Sequence, residues 1–301
     1  MQKHEYRDSM IGCAATLACE VIFGLSYIFT KQAINSASTL TLLGWRFLLA
    51  FLILLLCSFL GIIKIRLKGK KIRPLLAVAL FSPVIYYVCE TIGISYTTTS
   101  ESGAFLACIP VASLLASTLI LKEKPKKIQV AGIMVTLTGV LITVFAVGMK
   151  ASFSAVGYVM LTAAVISYSL YSVFVEKSEG YTEIEITFVM LAAGAAVYVT
   201  LALAEALIKG NLAYVAMLPL TDMSFLSAIL YQGIGCSILA FFLSNVAISK
   251  IGVNRTSSFI GVSTVVSIAA GIIFLNEAFS GVQVIGAIVI LAGVYIANAK
   301  L

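Results

Sequence analysis

Two stretches of the chain, LKEKPKKIQVAGIMVTLTGV (121–140) and LNEAFSGVQVIGAIVILAGV (275–294), align without a gap when the sequence is shifted by 154 positions. Nine of the 20 aligned residues are identical, and they include a glutamate, a glutamine and two glycines. Self-similarity at one fixed spacing is the signature of an internal duplication. The sequence therefore predicts two homologous halves, residues 1–150 and 151–301.

The composition predicts that lipid surrounds most of the chain. Of the 301 residues, 61% are hydrophobic and 11% charged, and the mean hydropathy is +1.08. A soluble domain has roughly 25% charged residues, and a membrane-spanning helix needs about 20 mostly apolar ones. The sequence predicts an all-α membrane protein with ten transmembrane helices. These apolar segments lie at 9–31, 40–62, 74–96, 101–121, 128–148, 154–175, 184–208, 225–249, 255–275 and 281–299.

The basic residues predict the orientation of these helices. With the N-terminus inside, sixteen of the 20 Lys and Arg residues fall in inner segments, mainly at 64–73 and 122–127. This bias follows the positive-inside rule. We expect a multi-pass protein of the cell membrane with both termini cytoplasmic. The net charge of +7 is thereby explained by topology, without a nucleic-acid partner.

Five helices in each half have a topological consequence, because an odd number inserts the second half upside down. The loop at 122–127 carries four lysines, whereas its counterpart at 276–281 carries none. Inverted repeats are the usual construction of secondary transporters, whose site lies near the midplane between the repeats. The expected partners are a small-molecule substrate and membrane lipid, and a homo-oligomer is compatible with the sequence.

Three further stretches, FGLSYIFTKQAI (23–34), WRFLLAFLIL (45–54) and CETIGISYTTTSESGAFLACIPV (89–111), join the repeated motif in a family resemblance. Together they resemble the drug/metabolite transporter superfamily, specifically its EamA-type ten-helix members. The resemblance implies two inverted five-helix repeats around a central cavity and the export or exchange of small metabolites. That superfamily handles amino acids, nucleotide sugars, amines and drugs, so the resemblance leaves the substrate open.

Helix 1 carries a sharper local match. LACEVIFGLSYIFTK (17–31) is similar to the first helix of the small multidrug resistance branch, in which a glutamate binds protons and cationic substrates in turn. Glu20 occupies that position. The equivalent place in helix 6 holds Val165 or Ile166, so a symmetric two-glutamate site is not available. Helix 9 also departs from the pattern, with Thr264 where helix 4 has Pro110.

The candidate substrate- and proton-binding residues are intramembrane carboxyls and their polar neighbours. A carboxyl at the bilayer centre costs at least roughly 2.5–3.5 kcal/mol, so it faces the interior and is functional by default. Tyrosines beside a carboxylate suit an organic amine. The alternative is a neutral glutamate that is hydrogen-bonded to a tyrosine or a carbonyl. The candidates are Glu20, Tyr27, Tyr86, Tyr87, Glu90, Tyr168, Tyr171, Tyr231 and Asn245.

Other charged residues have competing interpretations. Glu101 and Arg255 are equivalent under the shift, and they form either a gate between the halves or two separately solvated charges. Glu123 and Glu277 precede equivalent helices, where stabilisation of the helix dipole or a loop brace explains them. Arg46 either meets an anionic substrate or extends to the lipid headgroups.

The motifs that are missing narrow the function. The sequence has no GxxxxGK[ST] phosphate loop, its one histidine is His4, and its aspartates are Asp8 and Asp222. We therefore expect no cofactor, no metal site and no enzyme. The sequence predicts a secondary transporter of an amino acid, amine or organic cation, acting by alternating access as exporter or exchanger, with proton coupling through Glu20 as a hypothesis. The alternatives are an intramembrane enzyme and a passive channel or sensor for small polar solutes.

Overall fold

The computed structural model describes residues 2–33, 36–97, 99–146, 154–178, 180–275 and 280–299, and their regular structure is helical throughout. The helices are α1 (Gln2–Ala33), α2 (Thr39–Phe59), α3 (Arg73–Ala79), α4 (Tyr86–Ser95), α5 (Thr99–Leu106), α6 (Ile109–Ala116), α7 (Lys127–Ala146), α8 (Ala155–Glu176), α9 (Glu183–Ile208), α10 (Leu212–Thr221), α11 (Met223–Leu230), α12 (Phe241–Ser258), α13 (Ile260–Leu275) and α14 (Gly281–Asn298). Three π-helical segments, Leu80–Ile85, Ser117–Leu121 and Tyr231–Ala240, adjoin them.

The prediction of an all-α membrane protein is confirmed. Within the described ranges, nine helical stretches are long and apolar enough to cross a membrane. The predicted helix at 255–275 corresponds to the apolar stretch Ile260–Phe274, which is shorter than the rest. Directly before it, Gly252 breaks α12 with a φ of 77° and a ψ of 167°. The described part of the chain thus has nine candidate spans, and the number ten stays a prediction.

Equivalent glutamines begin equivalent helices in the two halves. The Gln129 side-chain oxygen accepts a hydrogen bond from the Lys126 N–H (2.9 Å) before α7. The Gln283 side-chain oxygen accepts one from the Ser280 N–H (2.9 Å) before α14, and the Ser280 hydroxyl caps the helix in return. Because the first N–H groups of a helix have no partner inside it, a glutamine repeated at this position helps to define where both helices start.

The antiparallel pair α7 and α14 is the most extensive helix contact in the structure, and glycines make it close. A Cβ atom at Gly139 would lie 2.6 Å from the Ile290 N. Small residues let two helix backbones approach in this way, so the repeated glycines serve as close-packing positions. The contacts come in pairs that exchange under the 154-residue shift: Gly132 with Ala297 and Thr143 with Gly286, then Gly139 with Ile290 and Thr136 with Gly293.

Contacts between other helices also come in pairs that exchange under the 154-residue shift. Helix α1 packs against α12 and α13, whereas α8 packs against α4 and α6. Helices α2 and α9 also pack together. The largest core cluster draws on α2, α3, α8, α9 and α12, and it contains the buried ring of Phe47 stacked on that of Tyr198 at 5.3 Å.

The segment between α3 and α4 interrupts a helix inside the protein. Ser82 has extended backbone angles (φ −141°, ψ 123°), so the carbonyls around it lose their helical partners. The Tyr198 hydroxyl donates to the Pro83 oxygen (3.1 Å), and the Ser167 hydroxyl donates to the Phe81 oxygen (2.7 Å). Irregular backbone at membrane depth is tolerated where other parts of the protein satisfy it. This break places Tyr86, the first residue of α4, within the bundle.

Candidate functional site

Three charged residues of the described part of the chain are almost fully buried, and one of them, Glu185, is paired with Lys70. The other two have no such ion pair among the described residues. Glu20 on α1 is 4% exposed and Arg46 on α2 is 6% exposed. Glu90 on α4 is half-buried. None of Glu20, Arg46 and Glu90 takes part in the ion pairs that the structure describes, in which nitrogen and oxygen lie within 4.0 Å of each other. Since buried charges are normally paired, these residues are the first candidates for binding a charged ligand.

The Glu20 carboxyl lies between α13 and α8. It interacts with the Ser263 side chain on α13, and its charge acts on Tyr168 of α8. The approach of α1 to α13 is close, since a Cβ atom at Gly24 would lie 2.8 Å from the Ser263 backbone oxygen. Tyr27 follows Glu20 on α1, and its side chain lies outside the described residues.

A ladder of tyrosine rings connects α4 to α8. The rings of Tyr86 and Tyr87 meet edge to face at 5.1 Å, those of Tyr86 and Tyr168 at 5.6 Å, and those of Tyr168 and Tyr171 at 5.5 Å. The Tyr86 hydroxyl donates to the Glu90 Oε1 at 2.7 Å. The structure therefore brings five predicted residues, Glu90 and the four tyrosines, into one polar cluster, and Glu20 lies within electrostatic range of Tyr168.

The cluster is not fully closed off. The side chains of Tyr86, Glu90 and Tyr168 each keep part of their surface accessible. Aromatic walls with a few convergent polar groups are typical of small-molecule sites.

Arg46 joins the cluster from α2. Its Nε donates to the Ser237 hydroxyl (2.7 Å) and its Nη2 donates to the Tyr87 hydroxyl (3.0 Å). The guanidinium carbon lies 4.8 Å from the centre of the Tyr87 ring. Of the two positions that the sequence allows for this side chain, at the lipid headgroups or in the interior, the structure shows the interior one.

Two other predicted residues, Asn245 and Tyr231, form hydrogen bonds that hold neighbouring helices together. The fully buried Asn245 accepts from the Tyr171 hydroxyl (2.8 Å) and donates to the Thr187 hydroxyl (3.0 Å). The Tyr231 hydroxyl donates to the Ile22 backbone oxygen (2.9 Å), and its ring stacks on that of Phe29 at 4.1 Å. Asn245 therefore braces α8 and α9, and Tyr231 braces α1.

One side chain of the hypothetical gate is described. Arg255 donates to the Ser9 hydroxyl (3.1 Å) and the Asn298 side chain (3.3 Å). The Glu101 side chain lies outside the described residues. The gate between Glu101 and Arg255 therefore stays a prediction.

Glu123 is a brace between helices. It accepts from the Asn254 side chain at 2.8 Å, and Asn254 accepts in turn from the Ser117 hydroxyl at 2.8 Å. Nearby, the Val253 N–H that the Gly252 break frees donates to Glu176 at 2.7 Å. This agrees with the predicted structural role of Glu123, while Glu277 lies outside the described residues.

Two peripheral cavities contain none of the predicted site residues. One of about 290 Å³ lies where α9 and α10 meet, beside Ser38 and Glu205. The other, of about 320 Å³, lies beside Gly252, between Glu176 and Glu183. In the described ranges, no three His, Cys, Asp or Glu side chains come together as a metal site would require.

Comparisons with known proteins agree with this architecture. "Uncharacterized transporter YcxC" of Bacillus subtilis (strain 168) is 29% identical, over 100% of this chain and 96% of its own. "Uncharacterized transporter YetK" of the same strain is 26% identical, over 96% of this chain and 86% of its own. A solved crystal structure, 18% identical, superposes with a TM-score of 0.78 over 97% of this chain and 98% of its own, and so shares the fold.

The family comparison is the most informative because it covers both halves. The model of the EamA-like transporter family matches residues 10–145 and again residues 155–299. With its apolar helices, the chain is a multi-pass membrane transporter. The chain belongs to the EamA-like transporter family.

Proposed function

We propose that this protein is a secondary transporter that exports or exchanges a small metabolite, an amino acid, amine or organic cation, with Glu20 as its proton- and cation-binding residue. The observation that carries the proposal is the position of Glu20. Its carboxyl is 4% exposed in the bundle, without a described basic partner, and it faces the tyrosine ladder. An ionisable group inside a membrane protein marks a substrate or ion pathway by default.

The proposed motion is alternating access between two inverted five-helix halves, 1–150 and 151–301, in a ten-helix fold. The reciprocal glycine contacts of α7 and α14 support an inverted relation, because each exchanges with its counterpart under the 154-residue shift while the two helices run antiparallel. The double family match supports the division into halves. Transporters of this construction rock one repeat against the other around a fixed site.

An unsatisfied hydroxyl next to Glu20 supports the proposed role of this carboxyl. The hydroxyl of Thr16, one helical turn before Glu20, is 1% exposed and has no hydrogen-bond partner among the described residues. Buried polar side chains are hydrogen-bonded in the large majority of cases. A hydrated proton or an ammonium group bound by Glu20 would supply a water molecule or an N–H donor as a hydrogen-bond partner for the Thr16 hydroxyl.

The proposed setting is the cell membrane, with both termini cytoplasmic and lipid as the surrounding partner. Large apolar side chains with exposures of 76–87%, such as Leu119, Ile208 and Tyr295, support a lipid-facing surface. A tag at each end, tested for protease access in intact cells, checks the orientation. A homo-oligomer stays an option that mass measurement in detergent addresses.

Transport is tested by counterflow in liposomes loaded with a panel of amino acids and amines. We expect a trans-accelerated uptake that depends on a proton gradient, and we expect Glu20→Gln to lose that dependence. Glu205→Gln, which removes a carboxyl paired with Lys209 at the end of α9, is the matched control and should behave as the wild type. Unchanged proton dependence in Glu20→Gln would refute the coupling. Uptake without counterflow would point to a channel.

A further inference from the structure

The surroundings of Arg46 differ from those of a structural arginine. Among the described residues, its hydrogen bonds go to two neutral hydroxyls, those of Ser237 and Tyr87. No carboxylate of the described residues lies within 4.0 Å of it. A guanidinium carries five N–H donors, so the described partners use only part of its donor capacity, at a site where the side chain is 6% exposed.

The positive charge of Arg46 is permanent, and no carboxylate of the described residues neutralises it by contact. Arginine stays protonated in proteins, and burying an unpaired charge is costly. Glu90 is close enough for its charge to act on Arg46. Its Oε1 atom, however, accepts from Tyr86 instead. The site thus holds one cationic and one acidic group that interact at a distance, with the Tyr86 and Tyr87 hydroxyls between them.

We propose that Arg46 is a specificity-determining residue that binds a carboxylate of the transported solute. Its forked donors match the two oxygens of a carboxylate. The amino group of the same solute interacts with the acidic side of the cluster, at Glu90 or Glu20. This inference rests on the proposed transport function and narrows its substrates to compact solutes that carry both an amino and a carboxylate group, in preference to simple amines.

A purely structural role makes a different prediction. Arg46 connects α2 to α4 through Tyr87 and to the π-helical segment through Ser237. If that were its whole function, replacing it would lower the stability of the protein in the absence of solute, and solutes with and without a carboxylate would be affected alike. The relative binding of matched solutes therefore separates the two roles.

The experiment compares three solutes that share a side chain: an amino acid, its amide and its decarboxylated amine. The comparison is repeated for a small, an aliphatic and an aromatic side chain. Binding to purified protein is measured by thermal stabilisation and by the fluorescence of Trp45, the single tryptophan. We expect the amino acids to bind best. Arg46→Gln should weaken amino-acid binding by about tenfold or more, with little change for the amides and amines.

Two further variants keep the test decisive. Arg46→Lys keeps the charge and loses the fork, so it should bind the amino acids with an intermediate affinity even if Arg46→Gln does not fold. Arg66→Gln makes the same change in an exposed loop and should bind all solutes as the wild type does.

Equal loss for all three solute types, a preference of the wild type for amines, or no binding of any amino acid would overturn the inference. Counterflow of amines without a carboxylate preference would leave the transport proposal intact while the Arg46 inference fails. Carboxylate-dependent binding without counterflow would support the role of Arg46 while the transport proposal fails.

Discussion

The close contact of α7 and α14 predicts that a single methyl group at Gly139 destabilises the protein. The added Cβ would lie 2.6 Å from the Ile290 N and 2.9 Å from the Gly286 O, whereas ordinary contact begins at 3.4 Å. Both atoms belong to the backbone of α14, so the helices have to separate. Overpacking of this kind costs about 1–3 kcal/mol, and the better helix propensity of alanine returns roughly 0.5–1 kcal/mol. We expect a net loss of up to about 2.5 kcal/mol.

Thermal unfolding of the purified protein in detergent measures this loss. Gly281→Ala is the matched control, because a Cβ atom at Gly281 would meet nothing within 4 Å at the start of the same helix pair, and its stability should stay the same or rise. Gly293→Ala should lose stability as Gly139→Ala does, since its Cβ atom would meet the equivalent backbone of Thr136. If Gly139→Ala were as stable as Gly281→Ala, the packing argument would be wrong.

Three smaller predictions concern other irregular points of the fold. Tyr198→Phe removes the hydroxyl that serves the Pro83 carbonyl, and it should cost about 1–3 kcal/mol in thermal unfolding. Gly252→Ala forces a side chain into a backbone region with φ 77° and should cost about 1–3 kcal/mol, with slower counterflow if this break moves during transport. Glu185→Gln removes the buried partner of Lys70 (2.7 Å), and it should lower stability more than Lys70→Met, because Glu185 also accepts from backbone N–H groups.

The sequence could predict the features that depend on the identity of one residue or on the spacing of residues close together in the chain. Glycines repeated at 154 residues encode a close backbone contact, since no other residue fits there. Tyr86 and Glu90 are four residues apart, so one helical turn brings them together wherever the helix lies. Glu20 on α1 is a candidate for a different reason, since hydropathy alone predicts that it lies at membrane depth.

The features that sequence could not predict depend on contacts between distant parts of the chain. Arg46 and its partner Ser237 are separated by 191 residues, and hydropathy does not tell an inward-facing arginine from one that reaches the headgroups. From the sequence alone, Tyr231 is as good a candidate for the site as Tyr168. In the structure, however, the Tyr231 hydroxyl donates a hydrogen bond to the Ile22 carbonyl. Which face of a helix meets the cluster is decided by packing, and a single sequence does not contain that information.

The distribution of charge between the proposed halves bears on how binding could be coupled to motion. Glu20 and Arg46 belong to the first half, whereas Ser263 and Ser237, which contact them, belong to the second. In the proposed motion, in which one half rocks against the other, both contacts would cross between the halves and would have to change. A ligand shifts a conformational equilibrium only as far as it binds the two states differently. A solute or proton that displaced a serine at either charge would remove a link between the halves, and the proposed transport would couple occupancy to movement through these contacts.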